Sequence, residues 1–169
     1  MFPLTSPSRA TVDKRLLGFW KTETIETHRR IGVLVINECA KLHESFLDRH
    51  PNLPRGAMRL RSVSLNETPS PNGNSSLRLI WPTTIGSTTY LNHGEYNMVD
   101  KKLKAGSDAW FIGKYVVTGD SVTVYYLTGD AKKRISSRLG KDYSSSDLLQ
   151  EITKAAEWNP SLKLSRIRF

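Results

Sequence analysis

Over most of its length this chain alternates apolar and polar residues with a period of two, in short runs divided by Gly, Pro, Asn, Asp and Ser; the period lengthens to that of a helix only towards the end. "GFWKTETI" (18–25) sets Trp20, Thr22 and Thr24 on one face and Phe19, Lys21 and Glu23 on the other, as a strand does. "IGVLVIN" (31–37) is β-branched and apolar on both faces and reads as a buried strand. "MRLRSVSLN" (58–66) alternates as a half-buried strand, and "LRLIW" (77–81) and "STTYLNHGEYN" (87–97) supply two more, separated by Pro82 and Gly86. Between them "ETPSPNGNSS" (67–76) gathers turn formers around Asn72-Gly73 and predicts a long loop or hairpin tip. The clearest segment is "AWFIGKYVVTGDSVTVYYLT" (109–128), two runs of strand formers joined by "TGDS" (118–121), which predicts a hairpin.

Three stretches depart from this period. "ECAKLHESFLDRH" (38–50) places Cys39, Leu42, Phe46 and His50 at helical spacing, with Asn37 as N-cap and Pro51 as stop; continuation of the preceding strand is the competing reading. "AKKRISSRLG" (131–140) reads as a short helix. "SSSDLLQEITKAAEWNP" (144–160) reads as a stronger one, capped by Ser145 or Ser146, with Leu148, Leu149, Ile152, Ala155 and Ala156 on its apolar face and Pro160 as its end. "LKLSRIRF" (162–169) closes the chain as a last strand, with Leu162, Leu164, Arg166 and Arg168 on one face.

The chain has 169 residues, 38% hydrophobic and 24% charged, an ordinary globular mixture that suits one domain. Residues 1–13, rich in Pro, Ser and Thr, read as a flexible arm, which leaves 14–169 as a single folded unit. Lys and Arg number 25 against 16 acids, a net +9 that favours an acidic protein, nucleic acid or anionic lipid as partner. The basic residues are scattered rather than set in a stripe with aromatics, so a solvated surface is the plain alternative, and nucleic acid ranks third among the readings. A single cysteine, Cys39, excludes an internal disulfide and reads as a buried small apolar residue. No apolar run approaches the roughly 20 residues that span a bilayer, and no apolar stretch follows a basic start at the N-terminus. A cytoplasmic protein is expected, or one whose export signal precedes residue 1.

The order of elements, a strand carrying Gly-x-Trp, then antiparallel strands, a late helix and a last strand with arginines, resembles the lipocalins and the short bacterial lipocalin-like barrels of the calycin group. The resemblance rests on Gly18 and Trp20 in "LLGFW", the hairpin "KYVVTGDSVTVYY" (114–126) and the arginine in "LKLSRI" (162–167), and covers roughly residues 16–168 at the level of element order. It implies a mostly β fold, a barrel or strongly curved antiparallel sheet with one or two helices; a general α+β domain is the alternative. It further implies a structural floor, in which Trp20 plugs the closed end, Gly18 admits close packing beneath it and Arg166 covers the indole.

No motif announces catalysis. "GSTTY" at Gly86 lacks the second glycine of a nucleophile elbow, and no phosphate-cradling glycine loop is present. Of His28, His43, His50 and His93 only His43 and His50 are close neighbours, too few for a metal, and Cys39 beside His43 lacks a third orienting residue. No cofactor or catalytic residue is assigned. What stands out is aromatic: rings with one polar tip suit a cup for an apolar molecule. Strand parity points Phe111, Gly113, Tyr115 and Val117, with Val122, Val124 and Tyr126, to the interior. The expected function is a non-enzymatic protein that holds a small hydrophobic ligand against Trp81, Tyr90, Tyr115 and Tyr126. The alternative is an interaction module of inhibitor or immunity type that docks an acidic protein through its basic surface. A connected apolar cavity of about 300 Å³ or more separates the first from the second.

Overall fold

The computed structural model describes residues 4–6, 9–26, 30–63, 76–104, 111–139, 144–154 and 157–169. The 67–75 loop, Trp110 and His28 lie outside the described residues, as does the side chain of Phe111. Nine strands and three α-helices are formed by the described residues: β1 Gly18–Thr24, β2 Arg30–Glu38, α1 Glu44–Arg49, β3 Met58–Val63, β4 Ser76–Ile85, β5 Thr88–Asn97, β6 Lys102–Leu103, β7 Phe111–Thr118, β8 Ser121–Leu127, α2 Gly129–Leu139, α3 Ser145–Lys154 and β9 Trp158–Arg166.

All strand pairs are antiparallel. β4-β3-β2-β1-β9-β8-β7-β5 are neighbours in that order, and β4 pairs with β5, which closes an eight-stranded barrel with the two-residue β6 beside β5. Closure leaves no long open edge, and with it the general α+β alternative is set aside. The predicted hairpin forms with Thr118 opposite Ser121, and Gly119, at φ +56°, supplies the left-handed turn residue. A late helix, α3, precedes the last strand.

Four local expectations change. Residues 38–50 are not one helix: β2 runs on through Asn37 to Glu38, and the Cys39 amide bonds to the Ala57 carbonyl. A short 3₁₀ turn, Cys39–Lys41, follows, and α1 starts only after His43, whose Nδ1 accepts from the Ser45 amide in the cap role foreseen for Asn37. Pro82 does not divide two strands. β4 passes straight through it because β3 accompanies β4 only as far as Ile80, so beyond that point one edge has no ladder for a proline to interrupt. Likewise Pro160 lies inside β9, where the register against β8 shifts between Val124 and Tyr125. The α3 cap is Ser144 rather than Ser145 or Ser146: its hydroxyl accepts from the Asp147 amide while the Asp147 carboxylate accepts from the Ser144 amide.

Apolar side chains fill three regions. Leu16, Trp20, Ile36, Met58, Ile80, Tyr115, Val122, Val124 and Leu164 pack inside the barrel. On the outer wall Cys39, Leu47, Leu53 and Ala57 cover Leu77, Leu79, Trp81 and Tyr96 of β4 and β5. Elsewhere on that wall Ala131, Ile135, Leu148 and Ile152 of α2 and α3 cover Tyr90, Ile112 and Leu127. Parts of the N-terminal arm lie against the barrel: the Leu4 amide donates to Asn92, Thr5 bonds to Thr83, and the Trp81 indole donates to the Thr5 carbonyl.

Candidate functional site

The first and last strands meet at Trp20 and Arg166. Trp20 of β1 stands opposite Arg166 of β9, and the Arg166 guanidinium covers the indole at 4.3 Å from the ring centre. The fully buried indole donates to the Leu16 carbonyl at 2.8 Å, so its one polar atom is satisfied. Arg166 in turn donates to the carbonyls of Leu17, at 2.9 Å, and Arg15, at 2.6 Å, which ties the 3₁₀ turn at 14–16 across the opening. A Cβ on Gly18, whose φ is +122°, would come within 3.0 Å of the Arg166 Nη1. Arg168 lies further out and pairs with Asp120.

The barrel keeps an internal cavity of about 70 Å³. Its walls are Leu34, Ile36, Leu60, Ile80 and Leu91 on one side and Val122, Val124, Leu162 and Leu164 on the other, with Gly113 flanked by Tyr115, Tyr126 and His93. That volume is well under the 300 Å³ or more expected of a cup that encloses a whole ligand, so the interior does not hold a small molecule in full as the sequence reading expected. Tyr115 is anchored through its hydroxyl, which donates to Asp13 at 2.7 Å; burial, and then the Asp13 carboxylate, hold the phenol well above its ordinary range and keep it neutral. His93 is held below its usual value by burial and by the Arg78 charge, against an opposing pull from Glu95, so its ring is neutral at pH 7.

The four ring residues expected to line a cup are not brought together. Tyr115 and Tyr126 line the cavity, whereas Trp81 and Tyr90 stand on the outer wall, Trp81 under the 39–57 segment and Tyr90 under α2 and α3. Their inward neighbours are Ile80, Leu91 and His93. Parity along β5, where Leu91 and His93 share a face and Tyr90 and Asn92 the other, was readable; which face looks inward was not. Of the hairpin residues assigned to the interior, Gly113, Tyr115, Val122, Val124 and Tyr126 line the cavity and Val117 packs against the same core.

A second opening interrupts the wall itself. β3 and β4 pair only at Met58–Ile80, Arg59–Leu79 and Leu60–Arg78, and beyond Leu60 the two strands part. Between them lies a cleft of about 470 Å³, lined by Arg59, Leu60, Arg61 and Ser62 of β3, Ser76, Leu77 and Arg78 of β4, and Phe46 and Met98. Leu60 borders both this cleft and the internal cavity.

Other side chains weighed for chemistry are occupied differently. Cys39 is fully buried and its thiol is pushed up to about 12 by desolvation; His43 caps α1 at the surface, bonded to Ser45. His50 sits between two rings, tilted against Phe46 and edge-on to Tyr96. Among the described residues no three His, Cys, Asp or Glu side chains converge as a metal site would require. Among the described residues no helix is long and apolar enough to cross a membrane.

Fold and site together define a closed eight-stranded antiparallel β-barrel with a largely apolar interior. Comparison with protein-family models, with curated proteins and with solved structures finds no match.

Proposed function

We propose that the protein is a lipocalin-like binding protein of calycin type, which takes the apolar end of a small ligand into its barrel. The observation that carries this reading is the cavity: a void walled almost wholly by Leu, Ile and Val inside a closed barrel, on a floor that Trp20 and Arg166 make rigid. A well-packed interior leaves few voids larger than a water molecule. An apolar void of this size lowers stability by the contacts its walls forgo, and an apolar group that enters it regains them. The volume limits what enters to the tip of a chain or one small ring, so most of the ligand lies outside the closed interior. Tyr115, Tyr126 and His93 give the wall its polar points, and all three are neutral at pH 7, which suits an uncharged tip.

Calorimetric titration with octanol tests the reading. The parent protein is expected to bind it, and Leu162→Trp, which fills the void from a half-buried wall position, is expected to lose binding while it keeps the parent far-UV spectrum. Leu91→Phe serves as the second variant if Leu162→Trp fails to fold. Absence of octanol binding in the parent, or undiminished binding by both folded variants, overturns the reading.

A further inference from the structure

From the cleft between β3 and β4 we infer that the ligand is an anionic amphiphile, with a phosphate monoester head held by Arg59, Arg61 and Arg78 and an apolar tail that passes Leu60 into the barrel. The inference deepens the reading above and rests on it for the tail alone. Three guanidinium groups line one opening, and among the described residues no carboxylate lies within ion-pair distance of any of them. The acid nearest in register is Glu95, opposite Arg78, and its carboxylate is taken by the Lys104 ammonium at 2.5 Å. Three other exposed arginines do pair with acids: Arg134 with Glu157, Arg138 with Glu151, Arg168 with Asp120. Among the described residues the arginines of the cleft gather positive charge with no carboxylate in ion-pair contact, and Glu95 acts on Arg78 only at longer range.

The positions of the three follow from the strands. Arg59 and Arg61 alternate on the outer face of β3, while Arg78 is the cross-strand neighbour of Leu60 and so shares the face that looks into the barrel. The cleft is therefore lined by residues of both faces, with Ser62 and Ser76 as further donors, and Leu60 borders both it and the internal cavity. A guanidinium presents its N–H groups as a planar fork that fits two oxygens of a phosphate or carboxylate. Three such groups match a dianion better than a single carboxylate, since each charge left unpaired at close quarters repels the others. Phe46, Leu77 and Met98 add apolar surface beside the arginines, which a free inorganic anion would not use. At about 470 Å³ the cleft also has the capacity that the closed interior lacks.

Titration calorimetry with octyl phosphate, inorganic phosphate and octanol, each on the full chain, tests the inference. Octyl phosphate is expected to bind at least about tenfold more tightly than either of the others, and less tightly as salt is raised. Arg61→Gln and Arg78→Gln, both exposed and neutral to folding, are each expected to weaken octyl phosphate by about tenfold or more and to leave octanol unchanged. Phosphate binding that depends on both arginines when octanol fails to bind would retain the head site and reject the cavity reading. Tighter binding of inorganic phosphate than of octyl phosphate would overturn the amphiphile. Octyl phosphate affinity indifferent to both arginine variants, or a glutamate-rich peptide that binds through these arginines where octyl phosphate does not, would overturn the assignment.

Discussion

Arg166 lies over Trp20 at 4.3 Å, and the two residues are also direct partners in the ladder that joins the first strand of the barrel to the last. One contact thus couples a side-chain interaction to the pairing of the two terminal strands. Asp120, in the β7–β8 turn, holds the Arg166 Nε side at 3.7 Å, which ties the hairpin to the same point.

Removal of either ring or guanidinium should therefore weaken the whole domain. Trp20→Ala is expected to cost about 3 to 5 kcal/mol, as for a large buried aromatic. Arg166→Ala should cost about 1.5 to 3 kcal/mol, from carbonyls of Arg15 and Leu17 left without a charged donor. In the double variant the losses should fall short of their sum by about 0.5 to 2 kcal/mol, the coupling of the pair. Urea denaturation of the three variants measures this, and additive losses would show the contact to be energetically idle.

Gly18 carries two demands that one substitution separates. Gly18→Ala should destabilise by about 1 to 3 kcal/mol, because φ +122° is poorly tolerated by a Cβ and that Cβ would meet the Arg166 Nη1 at 3.0 Å. In an Arg166→Ala background the second cost disappears and the first remains. A Gly18→Ala effect that is the same in both backgrounds would assign the whole loss to backbone strain.

Asp13 links the N-terminal arm to the cavity wall and sets an acid limb of stability. Burial alone would raise its carboxyl, but hydrogen bonds donated by Arg15 and Tyr115 outweigh it, and the folded value lies below 3.8. Its stabilisation is complete above the unfolded-state value near 3.8 and is lost as pH falls through the lower folded value. Tyr115→Phe is expected to cost about 1 to 2 kcal/mol at pH 7 and progressively less as pH falls through the lowered folded value and the carboxyl takes up its proton. Urea midpoints along an acid series from pH 7 check this; a loss that does not change with pH would separate the hydroxyl from the Asp13 charge.

Cys39 should be unreactive in the native protein. Its thiol is fully buried and pushed up to about 12, so at pH 8 the thiolate that attacks a disulfide reagent is scarce and enclosed. Labelling with an aromatic disulfide is expected to proceed at the rate of local or global opening and to accelerate steeply with urea. Fast stoichiometric labelling in buffer alone would place Cys39 at an accessible surface.

Much of the fold was legible because alternation and turn chemistry are local. The 115–124 hairpin, the β character of 18–24, 31–37 and 58–63, and the partition of each strand into two faces follow from period two and from Gly119-Asp120. Trp20 and Arg166 could be named from the resemblance because a glycine two residues before a tryptophan, and an arginine in mid-strand, are visible in the letters themselves. Orientation was not legible in β4 and β5. Both of their faces are buried, one by the interior and one by α1, α2, α3 and the N-terminal arm, so Trp81 and Tyr90 look as inward as Ile80 and Leu91 until the helices are in place.

The sequence by itself determined the strands, their two faces, the late helix and the positive charge, since each depends on residues a few positions apart. Only the tertiary structure decided which face became the interior, how small the cavity is, and where the wall parts. Closure of β4 on β5 and the end of the β3–β4 ladder at Leu60 depend on pairing between segments far apart in the chain. The same distance gathers Arg59, Arg61 and Arg78 into one cleft, although along the sequence they are three ordinary arginines.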